Sequence, residues 1–359
     1  MIRIRSGGLR SAVVARARPV LPWVPAAAWG VAALAWRIGW APDGPLSLER
    51  RIVTGIVFFT VGAGLLLGIR RSHRRELRRV REVADAAQHV LLHPPPPRLD
   101  GLTVAARQIS ASRHATVGGD LYEALATPFG VRVVIGDVRG HGLPAIGAVA
   151  AVLGSFREAA HDEPEIGGVL RRLERAVQRY LRDRARDEHP SSGAGEPESP
   201  AAEEFVTVLL VEIAADGGVR ALNCGHPWPY RLCGTAEPLT AAAPLPPLGA
   251  FPLPDELPVR CCDPLRPGEA LFLHTDGASD ARDARGRFFA LEEALARAAR
   301  AAPLAPAAVI ARVHGELLRH TGGRAADDIA LLVLRNDRAR VPAQASEALR
   351  RTRPEPSHR

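Results

Sequence analysis

Lysine is absent from the 359-residue chain, so all 47 Lys+Arg positions are arginine. That absence excludes Walker-type phosphate loops, kinase-type nucleotide clamps and Schiff-base chemistry, each of which needs a lysine amine. Cysteine is scarce as well. Cys224, Cys233, Cys261 and Cys262 show no paired metal-ligand spacing, and the adjacent Cys261 and Cys262 make a poor disulfide, which points to a reduced, cytosolic setting. A nucleic-acid signal is also missing, despite a net charge of +8. Residues 1–81 carry 15 Arg against Asp43, Glu49 and Glu76, a balance of +12 that leaves −4 on the remainder. The basicity belongs to the N-terminal segment alone, so no nucleic-acid partner is expected.

Two apolar runs account for that segment. Residues 20–36 and 52–69 contain no charged side chain, and both are long enough, at the short end, to span a bilayer. Arg3, Arg5, Arg10, Arg16 and Arg18 precede the first run. Arg70, Arg71, Arg74, Arg75, Arg78, Arg79 and Arg81 follow the second, and the connection holds only Arg37, Arg50 and Arg51. The positive-inside bias then puts both ends in the cytoplasm with an external hairpin of about fifteen residues. No small-residue cleavage site follows the first run, which disfavours a signal peptide followed by a buried core helix. The expectation is a multi-pass inner-membrane anchor with the bulk of the chain cytoplasmic.

Residues 72–92 read as a helix leaving the membrane, with Leu77, Val80, Ala84, Ala87 and Leu91 on one face. The stripe is either a coiled-coil seam that forms a homodimer or a surface packed on the next domain. Pro94 to Pro97 stop it. From about Leu99 the pattern changes to β-like runs: LTVAARQIS, VRVVIGDV, FVTVLLVEIA, VRALNCG, EALFLHTDG and IALLVLR. A helical stretch over about 143–181 separates the second run from the third, and further helices begin near Leu291 and span about 305–320. This mixture predicts a layered sheet-and-helix domain. The expected divisions are a basic N-terminus (1–19), a two-helix membrane hairpin (20–70), a linker helix with its proline stop (71–98), a globular domain (99–336) and a disordered tail (337–359). Within the domain, residues 183–204 are polar and rich in Pro, Gly and Ser, and read as a disordered loop.

The chemistry is carried by aspartates at strand ends or in Gly-flanked turns: Asp120 in VGGDLYE, Asp137 at the end of VRVVIGD, Asp276 at the end of EALFLHTD, and Asp327 and Asp328 before IALLVLR. Singly, an Asp beside Gly is a turn former. Together, carboxylates presented at sheet ends repel one another unless cations lie between them. Hard oxygen donors without a His/Cys framework suit Mg²⁺ or Mn²⁺, and the flanking glycines let backbone approach closely enough to offer a carbonyl.

VGGDLYE, IGDVRGHGLPA, NCGHPWP, LRPGEALFLHTDGASDARD and DDIALLVL, in this order and spacing, resemble the SpoIIE/RsbU-like bacterial branch of the PPM-type (type 2C-like) serine/threonine phosphatases. The resemblance covers about residues 100–336. It implies an α+β fold, here a layered α-β-β-α sandwich preceded by two transmembrane helices, with two Mn²⁺ or Mg²⁺ ions between the sheets. Carried across motif by motif, Asp137 would bridge both metals and be the central catalytic residue. The Val138 carbonyl would complete one metal, Asp120 would serve one partly through water, and Asp276 and Asp327 would hold the other. Asp328 aligns with a supporting position. The implied reaction is in-line attack of hydroxide on a phosphoserine or phosphothreonine without a phosphoenzyme.

His141 in RGHG stands either as a proton donor to the leaving oxygen or as a shaper of its turn, while His226 and His274 read as structural. Arg139 and Arg113 are candidate phosphate contacts. The branch implies a phosphorylated anti-anti-sigma factor of STAS fold as substrate. The DDIA sequence, where a Thr often follows Ile in the family, leaves the carboxylates intact. The alternative is a catalytically weak, membrane-anchored binding module, against which the retained acidic set argues.

Overall fold

The computed structural model describes residue 29 and residues 55–57, 59–72, 91–109, 118–140, 143–188, 204–239, 243–323 and 327–338. The chain divides into two compact units, Met1–Glu82 and Val83–Arg359. In the first, helix α1 (Gly55–Ser72) is the one helix among the described residues long and apolar enough to cross a membrane. Ile56, Phe59, Leu66 and Leu67 are exposed along it. Apart from Trp29, the first apolar run lies outside the described residues. So do the linker stripe up to Ala87, Arg113, His141 and residues 339–359.

The second unit runs β1 (Arg98–Leu99), β2 (Leu102–Ile109), β3 (Leu121–Thr127), β4 (Gly130–Val138), α2 (Leu143–Asp162), α3 (Ile166–Glu188), β5 (Val206–Ile213) and β6 (Val219–Cys224). It continues with β7 (Tyr230–Leu232), β8 (Ala236–Pro238), β9 (Arg260–Cys262), β10 (Ala270–His274), α4 (Asp276–Ser279), α5 (Leu291–Ala299), α6 (Pro306–His320) and β11 (Ile329–Asn336). The strands form two sheets, β1-β2-β11-β10-β7-β8 and β3-β4-β5-β6-β9, antiparallel throughout.

Both faces of both sheets are covered, which explains the unbroken apolar runs. Along β5, Val206, Val208 and Leu210 meet α2 and α3, while Leu209, Val211 and Ile213 face the other sheet. Along β11, Ile329, Leu331 and Val333 meet α5 and α6, while Ala330, Leu332 and Leu334 turn to the shared core between the sheets. The strand period of two thus serves two interiors rather than one interior and solvent. The result is the layered α-β-β-α sandwich. On α3, Ile166, Val169, Leu170, Leu173 and Val177 follow the helical period and bury one stripe.

Several boundaries differ from expectation. The stretch read as one helix over 143–181 is two, α2 and α3, broken at Glu163–Pro164, because proline has no N–H to donate and its ring disfavours helix in the residue before it. Asp183 to Glu188 belong to α3 rather than to the polar loop, whose residues 189–203 lie outside the described set. Beyond β11, Asp337 and Arg338 are still anchored: Arg338 Nη2 reaches Asp100 Oδ2 at 2.7 Å, and Asp337 pairs with Arg335 at 2.6 Å.

One buried ion cluster had no counterpart in the sequence reading. Arg132 on β4 and Glu212 on β5 are 1% and 0% exposed and pair at 2.7 Å. The guanidinium also donates to the carbonyls of Ala160 (2.9 Å) and Pro164 (2.8 Å), and Arg220 Nε donates to Glu212 at 2.9 Å. Arg132 therefore satisfies the carbonyls left over at the α2–α3 break and pins the helical layer to the sheet.

Three of the four edge strands are short. β1 has two residues and β8 and β9 have three each, whereas β3, the remaining edge, has seven.

Candidate active site

Four chain segments bring acidic side chains to one end of the two sheets. Asp120 directly precedes β3 and Asp137 is the penultimate residue of β4. The β3–β4 register, which pairs Leu121 with Gly136, sets the two side by side. In the other sheet β10 pairs with β11, His274 opposite Leu331, so Asp276 and the Asp327–Asp328 step emerge together at its matching end. Asp276 does not end its strand as expected. β10 stops at His274, and Thr275 caps a short helix that Asp276 opens. For the same reason His274 and Asp276 do not share a side: the imidazole is buried between Tyr230 and Phe272, ring centroids 5.9 Å away from each, while Asp276 is exposed.

The acidic side chains form a gradient of burial. Asp120 is 2% and Asp328 7% exposed; Asp137 is half-buried, and Asp276 and Asp327 face solvent. Burial, reinforced by the charges of Asp137 and Asp328, pushes the Asp120 carboxyl well above its ordinary range. Burial, followed by Asp276, Asp327 and Asp328, pushes Asp137 up to about 7. Burial also raises Asp276, with Asp327 its strongest acidic neighbour. These shifts share two causes, desolvation first and then like charge gathered in one cleft.

Close backbone approach is built in by glycine. A Cβ on Gly118 would overlap Asp328 Oδ2, at 1.6 Å. One on Gly119 would lie 2.4 Å from the Val138 carbonyl oxygen and 2.8 Å from Asp137 Oδ1. The Gly118–Gly119 pair thus lets the strand carrying Asp120 lie directly against the other acidic residues.

Two hydrogen-bond paths cross between the sheets here. Thr275 Oγ1 accepts from the Ala330 N–H at 2.8 Å and donates to Asp120 Oδ2 at 3.1 Å. His226, in the turn after β6, has Nδ1 3.1 Å from Thr207 Oγ1 and Nε2 3.1 Å from the His274 carbonyl. Thr207 stands opposite Asp137 in the β4–β5 ladder, and its hydroxyl accepts the Asp137 N–H at 3.3 Å. Asn223 holds the His226 backbone from both sides, donating to its carbonyl (2.7 Å) and accepting from its N–H (2.8 Å). Burial lowers the pKa of His226 to about 3 and that of His274 to about 4, so both rings are neutral.

Of the candidate phosphate contacts, Arg139 is exposed beside Asp137, its guanidinium carbon 5.2 Å from the Phe205 ring centroid. Arg113 and His141 fall outside the described residues. Thr207 and Thr275 were not singled out from the sequence. Thr275 had a local signal in its place next to Asp276, whereas Thr207 is tied to Asp137 only by strand register.

Among the described residues no three carboxylate, imidazole or thiol side chains are grouped tightly enough to act as ligands of one ion. The donor chemistry nonetheless fits hard divalent cations: mutually repelling carboxylates and the Val138 carbonyl, with the neighbouring imidazoles engaged elsewhere.

The two-sheet sandwich with an acidic cleft at one end is the fold of the PPM-type phosphatase domains. The sequence pattern of the Stage II sporulation protein E (SpoIIE) family matches residues 127–337, and the chain belongs to that family. Solved structures share the fold. The RsbU and RsbW domains of Rv1364c from Mycobacterium tuberculosis are 23% identical with a TM-score of 0.52, over 72% of this chain and 69% of that one. The SiaA-PP2C domain of Pseudomonas aeruginosa is 18% identical with a TM-score of 0.54, over 74% and 98%. The phosphatase domain and regulatory fragment of SpoIIE from Bacillus subtilis are 14% identical with a TM-score of 0.52, over 67% and 64%.

Proposed function

We propose that this chain is a membrane-tethered, Mn²⁺- or Mg²⁺-dependent phosphatase that removes phosphate from serine or threonine of a STAS-type anti-anti-sigma regulator in a partner-switching pathway. The observation that carries the reading is the coupled acidic set of Asp120, Asp137, Asp276, Asp327 and Asp328 at one end of the two sheets. Asp120, Asp137 and the Val138 carbonyl would hold one ion. Asp276 and Asp327 would hold the second with Asp137 shared, and Asp328 would support them from its seat on Gly118. When bound, two such ions supply Lewis-acid activation of water and offset charge on the transferring phosphoryl group.

The chain's own residues do the rest. Burial of Asp120 and Asp328 keeps the floor of the cleft dry, which strengthens every charge interaction made there. The exposed Asp276 and Asp327 leave the opposite side open to a protein-borne phosphate. Arg139, exposed two residues after Asp137, would meet phosphate oxygens there, a guanidinium being able to pair with them in two-point fashion. The occurrence of RsbU and RsbW domains in one M. tuberculosis chain motivates the partner-switching substrate. Tethering is supported by α1 and by the arginine bias around it.

The test is hydrolysis of p-nitrophenyl phosphate by the full chain with and without Mn²⁺, paired with a phosphoproteomic comparison of cells carrying wild type or Asp137→Asn. Activity should require Mn²⁺ and vanish in Asp137→Asn and Asp276→Asn, and a STAS-domain phosphosite should accumulate in the variant cells. Activity that survives either substitution overturns the metal assignment.

A further inference from the structure

We propose that His226 is a positioning residue: with Thr207 it forms a directional hydrogen-bond clasp that fixes the Asp137 end of one sheet against the Asp276 end of the other. The proposal deepens the metal-dependent phosphatase reading and rests on it.

The direction of the clasp follows from its end groups. The His274 carbonyl only accepts, so His226 Nε2 must carry the hydrogen across that 3.1 Å contact. A neutral ring then leaves Nδ1 bare, and Nδ1 accepts from the Thr207 hydroxyl at 3.1 Å. The Thr207 hydroxyl has one hydrogen and two acceptors in reach, His226 Nδ1 at 3.1 Å and the Asp137 carbonyl at 3.3 Å; given to the nearer imidazole nitrogen, it leaves the Thr207 oxygen to accept the Asp137 N–H at 3.3 Å. The sequence Asp137 N–H, Thr207 O–H, His226 Nε2–H, His274 C=O therefore runs one way from β4 to β10. It touches the backbone of one proposed ligand and ends two residues before another. The ring is 4% exposed and its backbone is locked on both sides by Asn223, so its aim is set before any ion arrives. Positioning groups of this kind, one bond behind a ligand, govern affinity because a ligand held off its site must be reordered on binding.

Mn²⁺ affinity of the full chain, measured by titration calorimetry, tests the clasp without relying on turnover. His226→Ala and the near-isosteric Thr207→Val should each weaken binding by about 10–100-fold. His226→Gln, which keeps one donor and one acceptor, should recover part of the loss. The ¹⁵N spectrum of the His226 ring should show an Nε2–H neutral form at pH 7, with the Nδ1 resonance moving in Thr207→Val. Lower melting temperatures with unchanged Mn²⁺ affinity in both Thr207→Val and His226→Ala would reduce the clasp to a fold contact and overturn the proposal. Should His226→Ala fail to fold, Thr207→Val decides alone. A wild-type chain that binds no Mn²⁺ overturns the metal reading instead. The clasp is then judged by the ring spectrum, where an Nδ1–H form or an imidazolium at pH 7 contradicts it.

Discussion

At the scale of single residues, packing tolerance around the acidic cleft is close to nil. Gly119 is the sharpest case, since its missing side chain leaves 2.4 Å between a built Cβ and the Val138 carbonyl oxygen. Gly119→Ala must displace either that carbonyl or Asp137, and a misplacement of about 1 Å at a reacting centre typically costs on the order of 100-fold in rate. Turnover of the purified variant should fall by at least that factor while its circular dichroism stays native. The buried imidazoles and the raised carboxyls of the cleft respond to acid with opposite sign. His226 and His274 are neutral in the fold, with pKa values lowered to about 3 and about 4 from an ordinary 6.5. Below pH 6.5 the unfolded chain takes up their protons and the native one does not. Their contribution is thus intact above pH 6.5 and is lost as the pH falls toward about 4. Each such proton tilts stability by about 1.4 kcal/mol per pH unit. Because the raised carboxyls of Asp120, Asp137 and Asp276 take up protons in the fold over the same range and act with the opposite sign, the imidazole share is read as a difference: from pH 7 to pH 5 the urea stability of His274→Phe should change more favourably than that of wild type by one proton's worth.

At the scale of elements, the Arg132–Glu212 pair joins β4 and β5 to the end of α2 and the turn that leads into α3. Removing one partner of a buried pair leaves the other uncompensated, typically at about 3–5 kcal/mol. Arg132→Ala should therefore lower the melting temperature by roughly 10 °C. Turnover of the folded fraction should be near wild type, because Arg132 lies five strand residues, about 17 Å, from Asp137. Elements also show where sequence reading succeeds. β4, β5 and β11 are legible because both faces are buried and the composition is continuous. β3 (LYEALAT) is not, because Leu121 and Leu125 fall at helical spacing and nothing local announces pairing with β4. β7, β8 and β9 are too short to carry a period. The acidic residues were readable from their motifs, each carrying its own flanking glycine or strand. The clasp was not, because Thr207, His226 and His274 are distant in sequence and meet only through strand order. Arg132 and Glu212, 80 positions apart, escape for the same reason.

At the scale of the molecule, charge and hydropathy are segregated along the chain. The N-terminal 81 residues carry +12 and include α1, while the remainder carries −4. The full chain should sediment with membranes and resist alkaline carbonate extraction, whereas a chain lacking residues 1–71 should appear in the soluble fraction. Recovery of the full chain in the soluble fraction would contradict tethering.

The lengths of the sheet margins bear on how copies of the domain meet. Among the described residues, β8 and β9 offer three residues apiece, too few unpaired amides to template a neighbour. Two margins are long: β3 with its seven residues, and β2, of which β1 covers only Leu102 and Thr103. Any self-association by main-chain zippering, including the off-pathway kind that ends in aggregates, is steered to those two rims; at β3, Glu123 and the nearby Pro128 turn are the natural deterrents.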